Sequence, residues 1–306
     1  MKRPASPFGS ARVQGELSNQ LARLAEEVGA LRAELTDRTH TITRLLDDAA
    51  RHQALLNDPR ADRIIALQLW LDNNPVPEDA LISVVMPTYN RADRVLEAID
   101  AVLRQNYANW ELLVADDGSV DDTVAVIEGV DDPRVRLIQA DHGGPGHARN
   151  AGLAQAAGSI IAFSDDDDRM APGWLRTVAW ALTAHPEVDV VYGGVVIESD
   201  HTLLGPHALR LPVIDLRPYD RALLERMNFI YVQATAHRAG LPEARFDEEL
   251  IGAEDYDRIL RLTREKPPLS VPAVGAIYRY LHPGSLSTLV DLGAASRQVR
   301  ERQGLR

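Results

Sequence analysis

From residue 17 the apolar positions step by four and three: Leu17, Leu21, Leu24, Val28, Leu31, Leu35, then Ile42 and Leu45. That spacing lays one apolar stripe along a helix and reads as a heptad seam, interrupted at Arg38 and closed weakly by Ala49. Two structures satisfy it: an amphipathic helix packed on its own domain, or a short coiled coil over residues 17–49 that forms a homodimer or docks a partner. Asn57-Asp58-Pro59 breaks the pattern, a second helix is predicted over 61–71, and 73–77 reads as a linker. Residues 1–75 are therefore expected to form a helical segment of their own.

After the linker, short β-branched runs alternate with helical segments. Strands are predicted at 81–86, 110–115, 135–139 and 159–163, and helices at 91–105, 120–128 and 146–157. The first run, ending at Pro87, is apolar throughout, as a strand buried on both faces must be. Alternation with such short connections predicts an α/β domain over residues 76–290, a three-layer sandwich around a mostly parallel sheet, followed by a tail helix over 291–306. Ligands of such sheets sit beyond the carboxyl ends of the strands. Chemistry is therefore expected in the loops at 87–91, 116–119, 140–146 and 164–169.

Composition narrows the choices. The 306 residues include no cysteine, which removes disulfides, thiol nucleophiles and thiolate zinc sites. The apolar runs are too short to span a bilayer, and residues 1–10 have basic side chains but no apolar stretch after them. No membrane span and no secretory signal are expected, and a cytoplasmic location is the default. The net charge of −12 falls entirely in 76–306, because residues 1–75 hold ten acidic and ten basic side chains. Only Lys2 and Lys266 are lysine, so neither a nucleic-acid surface nor a polybasic membrane tether is expected.

The strand-end loops hold much of that negative charge. The first, Pro87-Thr88-Tyr89-Asn90-Arg91, offers an aromatic face to a base at Tyr89, or a helix cap at Asn90. The second, Asp116-Asp117-Gly118-Ser119, offers either an acceptor for a nucleobase N–H or a plain Asp-Gly turn. The third is Gly-rich and opens a helix, a plausible phosphate cradle in which Arg149 could neutralise a diphosphate. It lacks the spacing of a dinucleotide fingerprint. The fourth is Asp165-Asp166-Asp167-Asp168. Four adjacent carboxylates are costly without a cation, and an all-oxygen set suits Mg²⁺ or Mn²⁺. An EF-hand is excluded, because Met170 and Arg176 stand where its Gly and Glu belong. Further on, Glu254-Asp255 opens a helical run, where acidic residues favour the helix dipole or supply a general base. His282 lies in a polar loop near the end and could reach a metal.

In order and spacing these segments resemble the family 2 glycosyltransferases of GT-A fold. The stretches that carry the likeness run from Ile82 to Asn90, from Trp110 to Ser119, from Gly146 through the Asp quartet to Pro172, and over Phe246-Asp247-Glu248 and Glu254-Asp255. It covers about residues 80–290 and leaves 1–75 outside. The resemblance implies a nucleotide-sugar-binding half at 80–170 and an acceptor half at 171–290. It implies a donor linked to UDP, GDP or dTDP, with the base held by Tyr89 and Asp117 and the ribose by Asp166. Asp167 would bind Mn²⁺ or Mg²⁺ with Asp165 in support, Pro87, Arg91 and Arg149 would complete the donor set, and His282 would add a metal or phosphate contact. Asp255 would be the catalytic base of an inverting transfer, and Asn150 structural. Acceptor contacts are expected around Gly193-Gly194, 227–235 and 264–272, whereas Trp174, Tyr219 and Tyr231 read as core. The family's processive polysaccharide synthases carry a QxxRW motif and membrane helices; their absence here implies a soluble, non-processive enzyme. A sugar nucleotidyltransferase, or a catalytically silent glycosyltransferase-like scaffold tethered by the coiled coil, are the competing readings.

Overall fold

The structure is a computed structural model that describes Val28, Gly29, Arg32 and residues 58–199, 213–280 and 289–305. Apart from the first three, these lie in the second of the chain's two units, Leu55–Arg306. The rest of the heptad seam and His282 fall outside the described residues.

Helix α1 (Ala61–Asn73) precedes β1 (Ile82–Thr88), α2 (Val95–Leu103), β2 (Trp110–Asp116), α3 (Thr123–Glu128), β3 (Val135–Gln139), α4 (Pro145–Leu153) and β4 (Ile160–Phe163). The alternation expected from the sequence is thus present; α2, α3 and α4 are shorter than predicted, whereas α1 runs two residues beyond its predicted end. β1 pairs in parallel with β2 on one side and β4 on the other, and β3 extends the parallel set beyond β2. All seven residues of β1 are buried, which is why the sequence there shows no alternation.

Alternate side chains of these strands feed two separate cores. Val84, Met86, Leu112 and Val114 join Val95, Ile99 and Val102 of α2. Val85, Leu113, Ala115, Ile161 and Phe163 pack with Ala148 of α4 and with Phe246. Gly152 permits the second packing: a Cβ there would meet Val85 Cγ1 at 2.7 Å. The result is the expected helix–sheet–helix sandwich.

The second half of the sheet is not a continuation of that alternation. β5 (Arg169–Met170), α5 (Trp174–Ala184), β6 (Val190–Ser199), β7 (Val213–Asp215), α6 (Arg221–Leu224), β8 (Thr235–Arg238), α7 (Glu254–Leu262), β9 (Leu269–Tyr280) and α8 (Leu292–Arg302) follow among the described residues. Strand order is β3-β2-β1-β4-β8-β6-β9-β5, with β7 beside β6. β8 runs antiparallel to both β4 and β6, while β6 and β9 are parallel to each other. The nine-stranded sheet is therefore parallel through its first four strands and mixed beyond. Trp174 is fully buried, as expected of a core residue. Among the described residues no helix is long and apolar enough to cross a membrane.

Because β1 to β4 are parallel, the loops following all four emerge on one edge. β1 has β2 on one side and β4 on the other, so the crevice at that edge lies where the chain's direction of travel across the sheet reverses.

Candidate functional site

Tyr89 stands just past the end of β1 and is 39% exposed. Its ring stacks on the His142 imidazole, with centroids 4.4 Å apart and planes 25° from parallel. Asn90 does not cap a helix, since α2 begins only at Val95. It adopts a left-handed φ of 52° and laces two loops together. Its N–H donates to Ser119 Oγ at 2.8 Å, and its Oδ1 accepts the Val120 N–H at 2.9 Å.

Asp117 braces the Gly-rich loop. Its Oδ1 accepts the Gly143 N–H and its Oδ2 the Gly144 N–H, each at 2.9 Å, while His142 Nδ1 lies 2.8 Å from Oδ2. Gly118 makes room for this: its φ is +77°, and a Cβ would sit 3.2 Å from the His142 nitrogen. A carboxylate has about four acceptor positions, so Asp117 keeps one on Oδ1 beyond its three loop contacts.

The quartet after β4 divides its labour. Asp168 is buried and bonded twice, accepting from Gln233 Nε2 and from the Arg279 N–H, both at 2.8 Å. Burial, followed by Asp167 and Asp165, pushes its carboxyl well up. Arg91 approaches the middle pair, with Nε 3.6 Å from Asp166 Oδ1 and Nη2 3.9 Å from Asp167 Oδ2. The Asp166 carboxyl is still pushed up to about 7, by burial first and by Asp167 next. Asp165 is raised as well, again mainly by burial.

Arg149 has a different task from the diphosphate contact expected of it. Its guanidinium is buried and already spoken for: Nη2 donates to Asp165 Oδ1 at 2.7 Å and Nη1 to Glu254 Oε1 at 2.8 Å. Burial alone would lower its pKa, and the two carboxylates more than reverse that. Glu254 in turn accepts the Gly252 N–H through Oε2 at 3.0 Å. One arginine thereby ties the quartet to the start of α7.

Asp255, the next residue, is half-buried at the same helix start. Its Oδ1 accepts the Tyr256 N–H at 2.7 Å and its Oδ2 accepts Asn228 Nδ2 at 3.1 Å. Burial and then Glu254 raise its carboxyl to about 7, against the pull of Arg149. A base poised there is well matched to proton abstraction near neutral pH. By contrast Phe246-Asp247-Glu248 is clamped as structure. Asn150 Oδ1 accepts the Phe246 N–H at 2.9 Å, and its Nδ2 donates to the Phe246 carbonyl at 3.0 Å and to Glu248 Oε1 at 2.7 Å.

The structure thus gathers Tyr89, Arg91, Asp117, Arg149, Asp165, Asp166, Asp167 and Asp255 at one edge of the sheet. It adds His142, Asn228, Gln233 and Glu254: Glu254 stands out in the sequence, His142 lies in the Gly-rich loop, and Asn228 and Gln233 fall within the 227–235 stretch without standing out individually. Among the described residues no three His, Cys, Asp or Glu side chains form a ready-made metal cage. Divalent ions of the Mg²⁺ type are commonly held by one or two carboxylates, with substrate phosphates completing the sphere. An oxygen-only quartet whose buried members are pushed toward the protonated form fits that mode of binding.

Comparison with known proteins bears on the family and the fold. A family model described as "Glycosyl transferase family 2" matches residues 83–241. The putative colanic acid biosynthesis glycosyl transferase WcaA of Escherichia coli K12 is 33% identical over 201 residues, which is 64% of this chain and 68% of that protein. The crystal structure of S. aureus TarS 1–349 in complex with UDP-GlcNAc superposes with a TM-score of 0.57 at 20% identity, covering 71% of this chain and 65% of that one. The Pyrobaculum calidifontis mannosyltransferase PcManGT, in complex with GDP-Man and Mn²⁺, gives 0.50 at 22% identity, covering 78% of this chain and 68% of that one.

Two outcomes test the electrostatics. Arg149→Met leaves Asp165 and Glu254 buried without their cation, and should lower unfolding free energy in urea by about 3–5 kcal/mol. For Asp166 the sign follows from a folded-state pKa near 7 against an ordinary 3.8. Its favourable contribution is complete below about pH 4 and lost as pH rises through 7. Asp166→Asn, neutral at every pH, should therefore be more stable than wild type at pH 8 in metal-free buffer, with the margin shrinking below pH 7 and vanishing only below about pH 4. Buried His237, held down to about 3, weakens both proteins equally as pH falls and cancels in the comparison. A margin independent of pH would contradict the assignment.

Proposed function

The chain belongs to the family 2 glycosyltransferases, with the GT-A fold, and from that premise we propose that it moves a sugar from a nucleotide diphosphate to an acceptor hydroxyl with inversion at the anomeric carbon. The observation that carries this reading is the pairing of a strand-end acidic quartet with a separate carboxylate, Asp255, held near neutrality on the other side of Arg149.

In this reading Pro87, Tyr89, Arg91 and Asp117 hold the nucleoside. The exposed Tyr89 ring stacks the base, and the spare acceptor position on Asp117 takes a base N–H such as uracil, thymine and guanine offer. Asp166 binds the ribose. Asp167, with Asp165 behind it and His282 as a further contact, would hold Mn²⁺ or Mg²⁺. Such a cation supplies positive charge to the departing diphosphate. Arg149 acts through Asp165 and Glu254, fixing the donor side relative to the base.

Asp255 takes the proton of the acceptor hydroxyl as that oxygen attacks from the face opposite the leaving group. The oxygen–carbon bond forms as the bond to the nucleotide breaks, and the proton ends on Asp255. Because its carboxyl titrates near 7, a substantial fraction is ionised at neutral pH and its conjugate base is stronger than an ordinary aspartate. Glu254, engaged by Arg149 and the Gly252 N–H, is not the proton acceptor in this reading; its charge raises the neighbouring Asp255 carboxyl.

The donor site is tested by thermal shift with UDP, GDP and dTDP, each with and without Mn²⁺. One of the three should stabilise wild type by about 3 kcal/mol at a hundredfold excess over Kd, and only with metal. Asp167→Ala should abolish the metal dependence. Stabilisation by none of the three would remove the donor-site reading. Asp255→Asn should bind nucleotide as wild type does while losing about 10²–10⁴-fold in turnover of UDP-glucose, UDP-GlcNAc or GDP-mannose. Undiminished turnover would mean that another group is the base.

A further inference from the structure

Asn228 lies on the stretch between α6 and β8, 27 residues before Asp255, in a part of the sequence without periodic signal. Its side chain has a fixed sense. Oδ1 accepts the Ile230 N–H at 3.2 Å, so the amide cannot turn over without losing that bond. Nδ2 is consequently the end presented to Asp255, and it donates to Oδ2 at 3.1 Å. The other carboxylate oxygen is held by the Tyr256 N–H at 2.7 Å. Both oxygens are thereby anchored, each with one acceptor position left.

Five residues further on, Gln233 donates to Asp168 at 2.8 Å. The stretch from Asn228 to Gln233 therefore touches the base at one end and the acidic quartet at the other. Ile230 is fully buried between these two contacts, with Phe229 and Val232 beside it, so the stretch is anchored along its length.

We infer that Asn228 is a positioning residue for Asp255: it orients the carboxylate and favours its ionised form. This rests on the reading of Asp255 as the base. A neutral N–H donor to a carboxylate stabilises the anion. It is needed here because the other groups facing Asp255 pull in opposite directions. Glu254 on its own helix and Asp165 on the strand-end loop oppose ionisation, whereas Arg149 from α4 and Arg258 one turn along α7 favour it. Both arginines are buried and committed elsewhere, Arg149 to two carboxylates and Arg258 to the Ala244 carbonyl at 2.9 Å and the face of Phe163. Asn228 alone among these groups gives a side-chain hydrogen bond to the carboxylate.

The test compares wild type, Asn228→Ala and Asn228→Asp, the last keeping the shape while replacing the donor by an acceptor. Carbon-13 titration of aspartate-labelled protein, with the Asp255 resonance assigned through Asp255→Asn, reads the carboxyl directly and requires neither metal nor acceptor. The Asp255 midpoint should rise by about half a unit to one unit in Asn228→Ala and by more in Asn228→Asp. A midpoint unmoved in both variants overturns the inference. With whichever of UDP-glucose, UDP-GlcNAc or GDP-mannose wild type turns over, kcat should fall about tenfold in Asn228→Ala with donor KM within twofold, and the acid limb of the pH–rate profile should move up with the midpoint. A packing role alone would lower thermal stability and leave both profiles in place. Full turnover by Asp255→Asn would instead strike the base assignment, whatever the Asn228 variants show.

Discussion

The site is organised around one buried guanidinium. Arg149 takes Asp165 on one side and Glu254 on the other, from elements that share no local sequence. Removing a cation and two carboxylates from water is expensive, and only good geometry with every partner present offsets it. Here the geometry fixes two things at once: the position of the quartet at the end of β4, and the position of the first turn of α7. The separation of the quartet from the first turn of α7 is thus set by an ion-pair triad, and a displacement of α7 against the sheet would expose an uncompensated charge.

The remaining polar contacts repeat the same principle with less charge. Asp117 gathers the Gly-rich loop through two backbone N–H groups, and Asn150 clamps the Phe246–Glu248 segment through its full amide. Asp168, the last of the quartet, spends both oxygens on Gln233 and Arg279. Those bonds join the loop after β4 to the segment before β8 and to the end of β9. Of four adjacent aspartates, two are therefore committed to protein partners, Asp165 and Asp168, and Asp166 and Asp167 face the less demanding Arg91.

The parallel half of the fold was legible in the sequence because burial on both faces leaves runs such as Val84-Val85-Met86 unbroken, and the short connections between runs allow few topologies. The acidic clusters were legible because adjacent carboxylates at strand ends are costly. What the sequence concealed was pairing. Nothing at Arg149 announces Glu254, and its charge read as suited to a diphosphate. Asn228 and Gln233 are single polar residues in a stretch without period, and their significance appears only when the acids they touch are in place. The antiparallel insertion of β8 between β4 and β6 was hidden for the same reason, since strand direction is decided by distant partners and not by local composition. Asn90 read as a helix cap because asparagine before a helical period usually is one; here it bridges two loops instead.

The 105 residues that separate Arg149 from Glu254 have a consequence for how the chain is made. During synthesis the parallel strands and the whole quartet leave the ribosome long before α7 exists. Throughout that interval Arg149 can neutralise only Asp165, and Asp255 has not yet been translated. The nascent domain can assemble the strand-end loops before α7 exists, and the charge balance around Arg149 is completed only when α7 docks. The ion-pair triad that holds the two halves of the site together is therefore among the last contacts the growing chain can make.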